Sequence, residues 1–351
     1  MFIITNARIF NGIKFIKANT VEIHKNIIRK VYYSKNFENG LNINRSILCP
    51  GFIDIHTHSS DIDILDIKSR EDVIKFKNSF LKKGVTSFLL TMFYKKNNRK
   101  LIYIADQIQN SKIGSRCLGI YFEGPFINKV KKGVIPVEYI DINADIKKIK
   151  KEYKNLKIMT IAPEIKNSKK ILKLLKKNKI IPSFGHSNAD YNLALHSLKY
   201  GIKNVTHLFN AMSKWSENKP PTYFAFLKNK NIFVEVIADG VHIPPTILKL
   251  IYKKFSKNRI ILISDKVNHE KIINKNKKVN SRLYLHDMIC NMKKICHLAI
   301  KDILQMATYN PAKLLKLKKV GMIKKGFIAD ILILNKNLHI EKIIFNGKII
   351  L

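Results

Sequence analysis

The sequence predicts an α/β protein whose main body is a (β/α)8, TIM-like barrel, and three observations support this prediction. Short, continuous apolar runs alternate with stretches of helical spacing, which is typical of parallel strands buried on both faces. Eight such runs follow one another within roughly 250 residues, the usual length of a closed barrel. Polar side chains capable of catalysis follow most of the runs, where barrel enzymes keep their chemistry.

The eight apolar runs are the predicted strands, and helical spacing fills most of the intervals between them. In chain order the strands are 51–56, 85–91, 117–123, 157–163, 181–186, 204–207, 232–238 and 259–265. The clearest helices are 70–83, which Gly84 ends, 168–179, 189–200 and 245–255. Eight strand–helix units in succession form the pattern of a closed barrel.

Both ends of the chain depart from this pattern and predict a second, smaller unit. Short β-like runs occur at 2–5, 19–23 and 27–33, and again within 327–351. Neither terminal piece is long enough to bury a core alone. We therefore expect residues 1–48 and 318–351 to form a small β-sandwich beside a barrel domain of residues 49–317.

The composition favours a cytoplasmic protein with reduced thiols. The sequence contains no apolar run as long as a membrane span, and its first residues lack the order of a signal peptide. The four cysteines, Cys49, Cys117, Cys290 and Cys296, form no CxxC pair and no zinc-finger spacing. We expect them to be free and mostly buried.

The net charge of +40 would ordinarily indicate nucleic acid or an acidic membrane as a partner. However, arginine supplies only eight of the 65 basic residues, and specific nucleic-acid readers favour its planar, bidentate fork. The many lysines accompany abundant Asn and Ile, and these three residues share adenine- and thymine-rich codons. We therefore interpret the lysines as solvated helix faces and expect no specific nucleic acid and no membrane as partners.

Side chains capable of metal chemistry stand at the predicted C-terminal ends of six strands. In chain order they are His56, His58, Glu123, His186, His207, Asp239, His242 and Asp265. Five imidazoles and three carboxylates that meet at one barrel mouth indicate a metal site. These ligand types suit zinc, iron and related divalent ions, and the lack of cysteine among them argues against a thiolate site. His56 and His58 lie on the same side of their strand, because side chains alternate with period two.

Longer motifs surround the same positions. They are PGFIDIHTH (50–58), YFEGPF (121–126), GHSNA (185–189), THLFNAM (206–212) and ADGVH (238–242). The first resembles the opening motif of the amidohydrolase superfamily. The others resemble one family within it, the N-acetylglucosamine-6-phosphate deacetylases, and the resemblance extends in the right order over essentially the whole chain.

The resemblance implies a reaction, a cofactor and an assembly. The reaction is hydrolysis of the acetamide of N-acetyl-D-glucosamine 6-phosphate to glucosamine 6-phosphate and acetate. The cofactor is one or two divalent ions, with zinc expected first and iron or another divalent ion as the alternative. The partner is a small sugar phosphate, and the assembly is a homodimer.

The resemblance also implies a role for each site residue. The core metal ligands would be Glu123, His186 and His207, and the ligands of a second ion would be His56 and His58. The residues that contact substrate would be Asn210, Ala211 and His242, and the general base, later the general acid, would be Asp265.

Two positions depart from the family pattern. Ile135 stands where the family usually has a polar residue, often histidine, and Asn218 aligns with an arginine that holds phosphate across a dimer interface. Lys214 and Lys219 lie nearby and are candidates to supply the missing charge, and His269 is a further candidate for the barrel mouth. Two alternatives stay open: a metal-dependent amidohydrolase acting on a cyclic amide or an amino-acid amide, and a degenerate relative without turnover.

Overall fold

The eight predicted strands form a parallel barrel in the structure, a computed structural model that describes residues 1–213, 218, 220–268 and 281–351. The strands pair in chain order into one eight-stranded sheet. The first and last strands lie in contact, and the backbone N–H of Asp265 donates to the carbonyl oxygen of His56 at 2.9 Å. The predicted fold class is therefore confirmed.

Each observed strand differs from its prediction by at most three residues at either end. The barrel strands, one to eight, are Phe52–Thr57, Val85–Met92, Arg116–Phe126, Leu156–Ile161, Ile181–Phe184, Asn204–Val205, Phe233–Ile237 and Ile260–Ile263. The α-helices in the described ranges are Arg70–Lys82, Arg99–Asn110, Ile146–Glu152, Ser168–Lys177, Tyr191–Ser197, Tyr223–Leu227, Pro245–Phe255, Leu285–Lys294, Ile300–Ala307 and Tyr309–Leu314. Single 3-10 turns occur at Ile64–Asp66, Lys129–Lys131, Val137–Tyr139 and Leu198–Tyr200.

The helix Arg70–Lys82 illustrates why the sequence folds in this way. Ser69 caps its first turn and exchanges hydrogen bonds with Asp72 in a capping box. Phe76 and Phe80, four positions apart on one face, pack against the barrel at Phe88 of the second strand. The helix ends before Gly84, whose φ of 75° is left-handed, and the second strand starts at the next residue.

The two chain ends form two further sheets, as predicted, and they meet within the five-stranded one. A four-stranded sheet has the order Ile27–Tyr32, Thr20–His24, Phe2–Thr5, Leu41–Asn42. A five-stranded sheet has the order Lys348–Ile349, Ile340–Phe345, Ile331–Leu334, Ile47–Pro50, Arg8–Ile9. An apolar core shared by both sheets joins them into a small sandwich. The limits of the two units at 48 and 318 stay a prediction.

The small sandwich attaches to the barrel at the N-terminal ends of the strands. Arg116, which begins the third strand, donates hydrogen bonds to the buried carboxylate of Asp330 and to the side chain of Asn346. The N–H of Gly51, before the first strand, donates to the carbonyl oxygen of Asp330 at 2.9 Å. The C-terminal ends of the strands, called here the barrel mouth, are therefore left free for a site.

A membrane-spanning helix is absent from the described ranges, since none of their helices combines the necessary length with the necessary apolar character.

Candidate metal centre at the barrel mouth

The predicted site residues meet in one cavity at the barrel mouth. This mouth cavity has a volume of about 490 Å³. Eight of the nine predicted site residues line it: His58, Glu123, His186, His207, Asn210, Ala211, His242 and Asp265. The ninth, His56, is fully buried, and its ring packs against the rings of His58 and His207. Barrel closure thus brings together residues from six different strands.

Three site residues stand just beyond their strands rather than at the predicted strand ends. The fifth, sixth and eighth strands each end two residues before His186, His207 and Asp265. These three residues have φ values of 48°, 26° and 46°, in the left-handed region that residues other than glycine seldom adopt. Such strained backbone persists only where the surrounding structure fixes it, and it clusters at functional sites.

Glu123 was expected to end the third strand, but the strand continues to Phe126. The pairing with the fourth strand is irregular here: Phe122 pairs with Met159, and Phe126 pairs with Ile161. This extra length on the third strand is a bulge, which re-aims a side chain locally. Glu123 is 5% exposed and reaches the mouth cavity from inside the strand.

Glu123, His186 and His207 form the first group of converging ligand atoms. The Oε1 atom of Glu123 lies 2.7 Å from the Nε2 atom of each histidine, and the two Nε2 atoms lie 3.1 Å apart. The Nδ1 of His186 lies 2.8 Å from the carbonyl oxygen of Lys131, so Nδ1 carries the hydrogen and Nε2 of the neutral ring is a free lone pair. This is the tautomer of a metal-binding histidine, and the group fits a divalent ion.

His56, His58 and Asp265 form the second group. The Oδ1 atom of Asp265 lies 3.3 Å from Nε2 of His56 and 3.5 Å from Nε2 of His58. Nε2 of His56 is buried and lacks a hydrogen-bond partner among the described residues, so this donor set fits a divalent cation. The Oε2 atom of Glu123 lies 3.2 Å from Nε2 of His58, so this carboxylate stands between the two groups.

The carboxylates of the site attract positive charge strongly. Burial raises the pKa of Glu123, but the adjacent His186 and further hydrogen bonds outweigh burial and hold that pKa well below its usual range. Burial also raises the pKa of Asp265, yet the charge of His56 and the hydrogen bond from His58 lower it to about 2. Conversely, burial lowers the pKa of both His56 and His58, but Asp265 and neighbouring carboxylates raise it to about 9. Protons and metal ions therefore compete for the same nitrogens.

Glu235, in the seventh strand, belongs to the candidate site and was not predicted from the sequence. Its carboxylate is fully buried, and Oε2 lies 2.8 Å from Nδ1 of His56. The same oxygen accepts the backbone N–H of His207 at 3.2 Å, while Oε1 accepts from Nδ2 of Asn204 at 2.5 Å. Glu235 therefore keeps the hydrogen of His56 on Nδ1 and leaves Nε2 free. A signal was available, since Glu235 is the only charged residue in the apolar run 232–238.

The residues expected to contact substrate line the mouth cavity after the sixth and seventh strands. Ala211 has a left-handed φ of 48°, and the side-chain nitrogen of Asn210 is buried with no hydrogen-bond partner in the described part of the chain. Nδ1 of His242 lies 2.5 Å from Oδ2 of Asp239, so Nε2 is the ring nitrogen left for a ligand. Lys129 and Lys132, not singled out from the sequence, also line the cavity.

The positions that depart from the family pattern are only partly described. Ile135 is 1% exposed and lines the mouth cavity, whereas Asn218 stands in an exposed turn. Lys214, Lys219 and His269 lie outside the described residues.

Comparisons with known proteins agree on one family. The family model described as the amidohydrolase family matches residues 47–350. The N-acetylglucosamine-6-phosphate deacetylase of Lysinibacillus sphaericus is 27% identical over 329 residues, which cover 86% of this chain and 85% of that protein. The enzyme of the same name from Bacillus subtilis is 28% identical over 336 residues, which cover 87% of this chain and 84% of that protein. The structure of the Thermotoga maritima N-acetylglucosamine-6-phosphate deacetylase matches with a TM-score of 0.87 and 25% identity, over 100% of this chain and 99% of that one.

Proposed function

The chain belongs to the amidohydrolase family, and from that premise we propose that it hydrolyses N-acetyl-D-glucosamine 6-phosphate to glucosamine 6-phosphate and acetate. The observation that carries the reaction class is the convergence of two metal-ligand groups, joined by Glu123, at one barrel mouth. The similarity to deacetylases over most of the chain supports the substrate.

We propose that Glu123, His186 and His207 hold the primary ion, and that His56 and His58 beside Asp265 hold a second one. Zinc is the proposed ion because the ligands are imidazole and carboxylate groups, and iron is the alternative. When bound, a divalent ion of this kind lowers the pKa of water towards about 7 and polarises a carbonyl group.

Asp265 is proposed to move the proton of the reaction. Its low pKa leaves a carboxylate at neutral pH that accepts a proton from the attacking water. The C–N bond of the acetamide then breaks, and Asp265 returns the proton to the sugar nitrogen, because an unprotonated amine is a very poor leaving group. A residue that both accepts and donates must face the reacting atoms, and Asp265 lines the mouth cavity.

The substrate-binding residues are proposed to fix the sugar while this proton moves. The free side-chain nitrogen of Asn210 and the left-handed turn at Ala211 provide donors for phosphate oxygens. Lys129 and Lys132 add positive charge to the same cavity, and Nε2 of His242 is available to a sugar hydroxyl. Anchoring the phosphate at one side holds the acetamide near Asp265, which removes much of the entropic part of the barrier.

The test is an assay of acetate release from N-acetyl-D-glucosamine 6-phosphate, with metal content measured on the same sample. His186→Ala and His207→Ala should lose metal and activity together, whereas His56→Ala should lower the ion count from two towards one. His196→Ala, on the helix Tyr191–Ser197 and away from the mouth cavity, is the matched control. Full metal occupancy in both His186→Ala and His207→Ala would contradict the assignment.

Ile135 favours a second candidate, a relative that has lost turnover. The residue lines the mouth cavity and is almost fully buried, and an aliphatic side chain has no hydrogen bond to offer an acetamide carbonyl. If the metal-loaded protein releases no acetate, Ile135→His should restore some turnover. We also propose a homodimer, which light scattering of the purified protein tests directly.

A further inference from the structure

A second cavity of about 230 Å³ lies beside the metal centre, and the proposed reaction does not use it. We call it the side cavity. Its walls are mainly apolar and include Leu65, Met92, Leu101 and Tyr139. They come from the turn after the first strand, the end of the second strand, the helix Arg99–Asn110 and the segment after the third strand.

The side cavity adjoins the mouth cavity directly. His58, Phe93 and Val267 line both of them. The rings of His58 and Phe93 are in contact, with their centroids 5.0 Å apart. An apolar space therefore begins where the proposed metal site ends.

Three polar side chains in the wall of the side cavity already accept hydrogen bonds from the backbone. Asp63 and Asn98 accept backbone N–H groups at the starts of the 3-10 turn Ile64–Asp66 and the helix Arg99–Asn110. The hydroxyl of Thr91 accepts the backbone N–H of Thr57 at 3.0 Å. An occupant would therefore meet few free hydrogen-bonding groups, and an apolar one fits best.

The order of the strands relates the proposed phosphate site to the side cavity. Asn210 and Ala211 follow the sixth strand, and Met92 ends the second, which lies opposite the sixth in a ring of eight. With the phosphate bound at Ala211 and the amide carbonyl beside Asp265 at the centre, the acyl group points away from the sugar. On the line from the sixth strand across the barrel mouth, this direction leads to the second strand and the side cavity.

We propose that the side cavity receives the acyl group of the substrate and lets this enzyme cleave N-acyl chains longer than acetyl from the same sugar phosphate. The inference rests on the proposed function. A methyl group is close in size to a water molecule, which takes about 30 Å³, so an acetyl group fills only a small part of 230 Å³. Water cleaves the amide in the same way for every chain length, giving the sugar amine and the free fatty carboxylate.

The test compares N-acetyl-, N-propionyl-, N-butyryl- and N-hexanoyl-glucosamine 6-phosphate. Burial of each methylene contributes about 0.8 kcal/mol, so kcat/KM should rise by up to about fourfold per added carbon until the cavity is full. Leu65 is 43% exposed, so that Leu65→Trp places a larger side chain in the wall without disturbing the core. This variant should lower the ratio of the N-butyryl to the N-acetyl kcat/KM. Ile113→Trp, 46% exposed and close to the N-terminal end of the third strand, is the matched control and should leave the ratio unchanged.

Binding measurements separate this inference from the proposed function. Calorimetry with Asp265→Asn gives the affinity of each analogue without turnover. Tighter binding of the N-butyryl than of the N-acetyl compound, lost in a Leu65→Trp background, supports the side cavity as the acyl site. Binding of the N-acetyl compound with no gain for longer chains overturns the inference alone. Failure of the N-acetyl compound both to bind and to be cleaved overturns the proposed function and this inference with it.

Discussion

Replacing Glu235 with glutamine tests how the protein prepares the second group of metal ligands. The carboxylate accepts hydrogen bonds from Nδ1 of His56, the backbone of His207 and the side chain of Asn204. Glutamine keeps the shape but replaces one accepting oxygen with an NH₂ donor. If the NH₂ group faces His56, two donors oppose each other until the ring hydrogen moves to Nε2. In that tautomer the lone pair is on Nδ1, which faces residue 235, and Nε2 has none for a metal ion.

If the NH₂ group faces Asn204 instead, the loss of affinity for the second ion is smaller. The side-chain oxygen of Asn204 is buried and has no hydrogen-bond partner within the described ranges, so rotation of its amide would accommodate the new donor. His56 then keeps its tautomer but loses a carboxylate partner, and charged hydrogen bonds exceed neutral ones by up to about 2 kcal/mol. Across the two orientations we expect the affinity for the second ion to fall by about 10–100-fold.

The assay titrates the metal-loaded protein with a chelator of known affinity and counts the bound ions by elemental analysis. Glu235→Gln should hold its first ion as the wild type does and lose the second at a lower chelator concentration. Asp302→Asn is the control, because Asp302 is also a buried acid but hydrogen bonds to Tyr252 and Lys257 on the outside of the barrel. Two ions bound by Glu235→Gln with wild-type affinity would show that Glu235 does not prepare His56 for a metal ion.

Three further predictions concern the proton, the pH and the phosphate. Asp265→Asn should keep the primary ion and lose at least about 100-fold in kcat, the usual contribution of a positioned proton shuttle. A steady-state kcat within a few-fold of the wild-type value would show the mechanism to be wrong. In the metal-free protein the pKa of His56 and of His58 is about 9, above about 6.5 in the unfolded chain. The folded state therefore binds these protons more tightly, and the resulting stability is fully present below pH ~6.5 and is lost as the pH rises through ~9. Thermal melts in the presence of a chelator should show Tm falling as the pH rises over that range. A His56→Ala/His58→Ala double variant should show a weaker dependence of Tm on pH. An unchanged slope in the double variant would contradict the assignment of these pKa shifts. Finally, N-acetylglucosamine without phosphate should be the poorer substrate, mainly through a higher KM, and equal kcat/KM values for the two sugars would favour an amidohydrolase acting on another amide.

Local sequence patterns were enough to predict the fold class and most of the candidate residues. Apolar runs of strand length, helical spacing between them and Gly84 at a helix end are local patterns, and each one is readable without knowing the rest of the chain. The polar residues after those runs then share the barrel mouth, because parallel strands in a barrel all end on the same side. The family resemblance added the roles of Asn210 and Ala211, which no periodicity indicates, and the roles of the individual site residues stay predictions.

The sequence placed three residues, His186, His207 and Asp265, at strand ends, but the strands stop two residues earlier. Strand pairing sets that limit, and the left-handed backbone that follows is fixed by the surrounding packing rather than by residue type. Glu123 was misplaced for a related reason, since a bulge depends on the pairing with the neighbouring strand.

The hydrogen bonds within the site depend on contacts between distant parts of the chain. The hydrogen bond from His56 to Glu235 joins residues 179 positions apart, and it selects the ring nitrogen that is free for a metal ion. The side cavity likewise exists because barrel closure and loop packing bring Leu65, Leu101 and Tyr139 to one place. Periodicity in a sequence records which face of an element is buried, but not which distant element it is buried against. Histidine tautomers, bridging carboxylates and cavities depend on which distant element lies opposite, and closure of the barrel determines this.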